Sequence, residues 1–327
     1  MAGFPFAEYF GEINTLADLQ FMPGERPYID RPSAAPEPKE LLLYLGCNIL
    51  RTAHLAKTVI DVLKAMGFDF NAAGGPAHCC GIVHFQNSEP ARARGIAANS
   101  MRHFAKYGAR QVLMWCPSCH EHYDEVVTRE QDVAFPYEHV TAFIARHLDR
   151  IRFVRRVEKR VGVHYHTGLA QSDRDWQNTR AILSAIPGLE LVEIANPASL
   201  GRHCAPKWIG RIGRPQWQHE ITGILDAAKE ARVDVLATLY HSCHREICGA
   251  EADYPFAIVN YISLLGEAMG IDYPDLYKKF KIAGDPDAAF DEVEEYARAN
   301  GLDPDRVRAF LRKIFAPACE GGTSNPS

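Results

Sequence analysis

Apolar positions along this chain follow two rhythms that take turns. Short continuous runs of strand length alternate with longer stretches in which apolar residues recur every three or four positions, as they do on one face of a helix. The first run is Glu40-Leu-Leu-Leu-Tyr-Leu-Gly46, and Leu55, Val59, Ile60, Leu63 and Met66 mark the helical face that follows. A short segment over 69–73 then leads through Gly74-Gly75-Pro76. The pattern predicts a helix over 89–107 with Ile96, Met101 and Phe104 on one side, a strand over 111–115 and a helix through about 138–149. The order then returns, with strands over 160–166, 189–194 and 234–240 and helices over 173–186, 217–231 and 256–269.

Strands alternating with helices imply an α/β protein with parallel sheets and right-handed crossovers. The expected organisation is an extension and linker (1–39), a first Rossmann-like βαβ repeat (40–155), a second (156–272) and a helical appendage with a tail (273–327). The linker carries Pro32, Pro36 and Pro38, and the appendage has an Ala/Phe/Leu stripe among Asp, Glu and Arg over 285–316. In such sheets ligands sit outside the carboxyl ends of the strands. Cys47, Cys116, Cys119, His166 and Cys243 all follow a predicted strand at that end.

The cysteines sharpen this picture. Cys47, the adjacent pair Cys79 and Cys80, and Cys116-Pro-Ser-Cys119 bring five thiols from three segments. Neighbouring cysteines reach disulfide geometry only with strain, whereas iron–sulfur and zinc centres both favour thiolates. A second set echoes the first: Cys80 to Cys119 and Cys204 to Cys243 are both 39 residues apart. Ala-His-Cys-Cys-Gly resembles Arg-His-Cys-Ala-Pro, and Pro-Ser-Cys-His-Glu resembles His-Ser-Cys-His-Arg. By those strings Cys204 matches Cys79, and by spacing Cys80.

Composition excludes several classes. With 47% hydrophobic and 24% charged residues the chain is not mainly disordered, and a net charge of −5 without a basic cluster argues against nucleic acid. The N-terminus lacks the basic and apolar regions of a signal peptide, and no apolar stretch reaches membrane-spanning length. A cytoplasmic protein without direct membrane insertion is expected.

The five-cysteine pattern resembles the cysteine-rich CCG domain known from the B-type subunit of heterodisulfide reductase and from iron–sulfur subunits of lactate-, glycolate-, glycerol-3-phosphate- and succinate-oxidising systems. Leu45-Gly-Cys47, His78-Cys-Cys-Gly81 and Trp115-Cys-Pro-Ser-Cys119 carry the resemblance, which extends over roughly 41–270. It implies a non-cubane [4Fe–4S] cluster held by Cys47, Cys79, Cys80, Cys116 and Cys119, and thiol/disulfide redox chemistry in a multi-subunit complex. Neither a C-x2-C-x2-C-x3-C ferredoxin signature nor a G-x-G-x-x-G fingerprint is present, so electrons are expected to pass to or from a flavoprotein or ferredoxin-like partner. The alternatives are a non-catalytic electron-transfer subunit and a zinc-binding scaffold.

The second copy departs from the pattern. His164-Tyr-His166 replaces the first cysteine, the pair is reduced to Cys204-Ala205, and the C-x-x-C to Tyr240-His-Ser-Cys243. Cys204 and Cys243 with two of His164, His166, His203, His241 and His244 would make a tetrahedral zinc site or a mixed His/Cys iron–sulfur centre, or the copy is vestigial. His120 and His122 are candidate proton donors near a cluster, and Trp115 and Phe85 candidate shields. Cys248 is expected to be a packed thiol and Cys319 an exposed one in the tail.

Overall fold

The computed structural model describes residues 3–26 and 36–315, so Pro32 and Cys319 lie outside the described residues. Strands β1 (Leu41–Gly46), β2 (Phe70–Gly74), β3 (Gln111–Met114) and β4 (Tyr137–His139) form one sheet; β5 (Arg160–His164), β6 (Glu190–Val192), β7 (Val235–Thr238) and β8 (Ala257–Asn260) form another. Their orders are β2-β1-β3-β4 and β6-β5-β7-β8, the same topology twice, and every pairing is parallel. Helices follow the strands, including Ala53–Ala65, Pro90–Lys106, Ala170–Ala185 and Arg214–Glu230. The sequence thus foretells the α/β class and the duplication.

One element in each half differs from expectation, in the same way. The stretches read as single helices near 138 and 256 each begin with a short strand, β4 or β8, before the helices Val140–Arg146 and Tyr261–Met269. A strand of three or four residues is too short to impose a period of two on the pattern. His139 and Asn260 mark the change, capping the helices by accepting from Thr141 N at 3.5 Å and Ile262 N at 3.2 Å. The segment before β1 also holds more structure than a linker: helix Phe6–Asp18 buries Ile13, Leu16 and Ala17.

Alternation along β1 sends Leu43 and Leu45 to one face of the sheet and Leu42 and Tyr44 to the other. The first face joins a core that runs without interruption into Val161, Val163, Leu236 and Ile262 of the second half. Trp115 stacks on Tyr261 across that junction, ring centroids 6.1 Å apart. Buried Asp175 ties the halves by accepting from Thr141 Oγ1 at 3.3 Å and Tyr240 Oη at 2.8 Å. Helices Leu276–Ala283, Pro286–Asp291 and Pro304–Phe315 close a smaller core around Phe280, Phe290 and Leu311, to which Leu19 contributes.

Candidate metal centres

Each of the first five cysteines is delivered by a chain turn at the same edge of the first sheet. Gly46 ends β1 with φ +74°, and a Cβ there would lie 2.9 Å from Cys116 Cβ and 3.2 Å from Cys119 Sγ, so glycine lets the end of β1, just before Cys47, pack against Cys116 and Cys119. Cys79 and Cys80 occupy the loop before helix Ile82–Gln86, and Cys116 is the N-cap of helix Pro117–His122, with Cys119 inside its first turn. All five are at most 6% exposed. Cys47 and Cys79 belong to the core on one side of the sheet, and Cys80, Cys116 and Cys119 to the core on the other, so the thiols straddle the sheet's end.

Side-chain interactions join them in one series, Cys47–Cys79–Cys80–Cys119–Cys116, which continues to His241 of the second half. The Cys119 and Cys79 hydrogen bonds draw the Cys80 thiol down to about 6 against the cost of burial. Cys116 is also drawn down, by Cys119 and then, against burial, by His241. Cys47 is pushed up by its bond to Cys79 and by burial, and Cys119 by Cys116 and Cys80. The backbone serves the sulfurs as well: Gly81 N–H donates to Cys79 Sγ at 3.3 Å, and Ser100 Oγ donates to the Cys79 carbonyl at 2.7 Å. A cavity of about 340 Å³ opens onto Cys47, Cys116 and Cys119, with Lys207, His241 and Arg245 of the second half on its wall.

Gly81 has φ +92°, and a Cβ would stand 2.5 Å from the Ala93 carbonyl oxygen. Backbone cannot yield as a side-chain tip can, so Gly81→Ala is expected to cost about 2–4 kcal/mol of stability. Denaturant midpoints of the two metal-free chains measure this; an unchanged midpoint would contradict the geometry.

The second half gathers a smaller set. His164, His166, Cys204 and Cys243 are all buried, and one donor atom from each lies within 4.8 Å of the others. His164 Nε2 is 3.4 Å from Cys204 Sγ, and His166 Nε2 is 3.2 Å from Cys243 Sγ and 3.7 Å from Cys204 Sγ. The opposite ring nitrogens are engaged elsewhere, His164 Nδ1 with Asn196 Oδ1 at 3.1 Å and His166 Nδ1 with the Gly201 carbonyl at 2.8 Å. Those partners make Nδ1 the donor and leave both Nε2 lone pairs facing the thiols, the arrangement metal-binding histidines need. Burial opposes ionisation of Cys243, but Cys204, His166 and His164 together hold its thiol well below the usual range, and Cys204 is raised by burial.

The other histidines of the sequence reading go elsewhere. His203 is not in this group: its Nε2 meets Ser118 Oγ at 3.0 Å and lies 3.5 Å from Glu121, across the junction of the halves. His241 turns to Cys116, and His244 lies 2.6 Å from Asp275. Successive positions on a strand end and a helix cannot all aim at one point, which proximity in sequence conceals. His120 is buried and stacks on His139, with burial lowering its pKa. Phe85 is 37% exposed and faces His122, so Ile82 and Val83, not Phe85, line the cavity at the thiols. Cys248 is fully buried with its pKa raised to about 12 by burial, as a packed thiol is. Sequence reading passed over Lys207, Arg245, His54 and Asp275; only Asp275, an N-cap after Pro274, carries a local signal.

Residues 41–123, which include all five first-half cysteines, match the family model for the cysteine-rich domain CCG. The chain is 25% identical over 244 residues to the D subunit of the dihydromethanophenazine:CoB–CoM heterodisulfide reductase of Methanosarcina barkeri, covering 71% of this chain and 59% of that protein. The corresponding protein of Methanosarcina mazei is 24% identical over 247 residues, covering 71% and 60%. The chain therefore spans about three-fifths of the length of the curated relatives it matches. Among solved structures, an aspartate racemase homologue from Pyrococcus horikoshii covers 71% of this chain and 98% of its own at 15% identity, with a TM-score of 0.32, too low to bear on fold or activity.

Proposed function

We propose that this chain, which carries a CCG cysteine-rich domain over residues 41–123, is the iron–sulfur subunit of a redox complex acting on thiols or disulfides. The observation that carries the reading is the joining of five buried thiols from three segments beside an open cavity. Among the described residues, the groups compact enough for a single ion include none of these five, and thiols spread in this way suit a multi-iron cluster better than one ion. Cys47, Cys79, Cys80, Cys116 and Cys119 would hold a [4Fe–4S] cluster of the non-cubane type. Such a group supplies single electrons and an iron site able to accept a sulfur ligand.

The chain's own residues prepare the surroundings. The Gly81 N–H stabilises negative charge on Cys79, and His241 does so for Cys116. Lys207 gives the cavity wall a positive charge that would favour a thiolate over a neutral thiol, while the charge of Arg245 beside it is balanced by Glu246. Arg245 is fixed by Asn48, which accepts from it at 3.2 Å, and by Glu246 at 3.0 Å. The access at Cys47, Cys116 and Cys119 favours contact with substrate over a sealed electron relay. Among the described residues no helix is long and apolar enough to cross a membrane. The relatives are named as subunits, which supports a partner subunit for this chain too; a flavoprotein or ferredoxin-like partner would supply the electrons.

His164, His166, Cys204 and Cys243 fit a closed tetrahedral zinc site, with two sulfur and two nitrogen donors and their ring orientation fixed from behind.

The reading predicts that adding a small thiol to the oxidised, anaerobically purified protein changes its iron-based electron paramagnetic resonance spectrum. Iron present with a spectrum indifferent to thiols would leave an electron-transfer role. Oxidation of NADH by the isolated chain would overturn the need for a partner.

A further inference from the structure

A third group of donors lies where three parts of the molecule meet. His54 comes from the first turn of helix Ala53–Ala65 in the first half, His244 from helix His241–Ile247 in the second, and Asp275 is the N-cap of helix Leu276–Ala283 in the appendage. One donor atom from each lies within 4.8 Å of the other two. Asp275 Oδ2 is 2.6 Å from His244 Nε2, and Asp275 Oδ1 is 3.4 Å from His54 Nδ1. His54 is 5% exposed and His244 fully buried.

The second of those distances is the informative one. His54 Nδ1 faces the carboxylate yet makes no hydrogen bond, although a buried ring nitrogen without a partner is costly. Two ligand atoms about 2.1 Å from one tetrahedral ion are about 3.4 Å apart, so the His54–Asp275 spacing already suits an ion that would satisfy the nitrogen, while the 2.6 Å His244–Asp275 hydrogen bond would open to that spacing on loading. Nearby Lys278 would oppose a cation, but its ammonium is bonded to Glu251 Oε2 at 2.7 Å. His54 and Asp275 also border a cavity of about 820 Å³, so water has access to a fourth position.

We propose that His54, His244 and Asp275 form a divalent transition-metal site, of zinc type, that clamps the C-terminal helices to both α/β halves. Two imidazoles and one carboxylate suit zinc, cobalt(II) or iron(II) better than calcium or magnesium, which prefer all-oxygen shells. Having no sulfur and one open position, this site would exchange its ion more readily than the closed set at Cys204 and Cys243. It stands apart from the five-thiol reading and would survive that reading's failure.

Crystals of the full chain grown with zinc and measured on both sides of the zinc absorption edge test the site without mutation. The expected result is an anomalous peak bounded by His54, His244 and Asp275, separate from any peak at Cys204. In solution, His54→Gln should remove about one zinc per chain by elemental analysis, lower the melting temperature of zinc-loaded protein and leave iron content unchanged. Asp275→Asn should act likewise. No anomalous density there, or zinc content and melting temperature unaltered in a folded His54→Gln chain, would overturn the proposal and leave only a hydrogen-bonded His–Asp–His group.

Discussion

Cys79→Ser is expected to abolish iron incorporation, taking anaerobically purified protein from about four irons per chain to near none. Cys79 is the link between Cys47 and Cys80 in the thiol series, and the substitution removes one sulfur while changing volume little. Its backbone is held independently: Ser100 Oγ bonds its carbonyl at 2.7 Å, and Tyr44 Oη bonds the preceding His78 carbonyl at 2.6 Å. A folded variant without iron would therefore report on ligation and not on collapse of the loop. Circular dichroism of the metal-free chains checks that the fold is retained. Full iron content in the variant would remove Cys79 from the ligand set. A parent chain that takes up no iron on anaerobic reconstitution would sink the redox reading altogether.

The second large effect is expected at the other centre. Cys204→Ser should eliminate about one tightly held zinc per chain and leave iron intact, since the two sets of thiols share no residue. Cys204 is 1% exposed and meets both His164 and His166, so its loss opens a closed ligand set instead of trimming its edge. Structural zinc contributes its binding energy to folding, and the variant's melting temperature should fall accordingly. Strong chelators should reproduce that fall in the parent. The experiment separates the readings of the second copy: zinc lost with iron retained supports a zinc site, iron lost supports a mixed His/Cys iron centre, and zinc and iron both unchanged by the substitution support a vestige.

Much of this was readable because it depends on short-range rules. The period of apolar residues reports which face of an element is covered, and alternating strands and helices admit few topologies. The equal 39-residue spacings foretell a duplication, and the two sheets have the same strand order. The five cysteines were legible for the same reason, since each lies at or just beyond a strand end or in the loop between. By contrast β4 and β8 escape a periodic reading because they are three and four residues long and exist by pairing with β3 and β7. Helix Phe6–Asp18 lies in the stretch expected as an N-terminal extension, and its order comes from burying Ile13 and Leu16 against the distant core.

What the sequence by itself determined was the inventory: which strands carry thiols to one edge, and that the second copy lacks three of the five. Which histidine serves which centre was decided only by tertiary structure. His241, Cys243 and His244 lie within four residues, yet they face Cys116, His166 and Asp275 respectively. A helix turns each successive side chain by about 100°, so neighbours in sequence point to different partners. Those partners belong to other segments, brought there by packing two sheets on a common core.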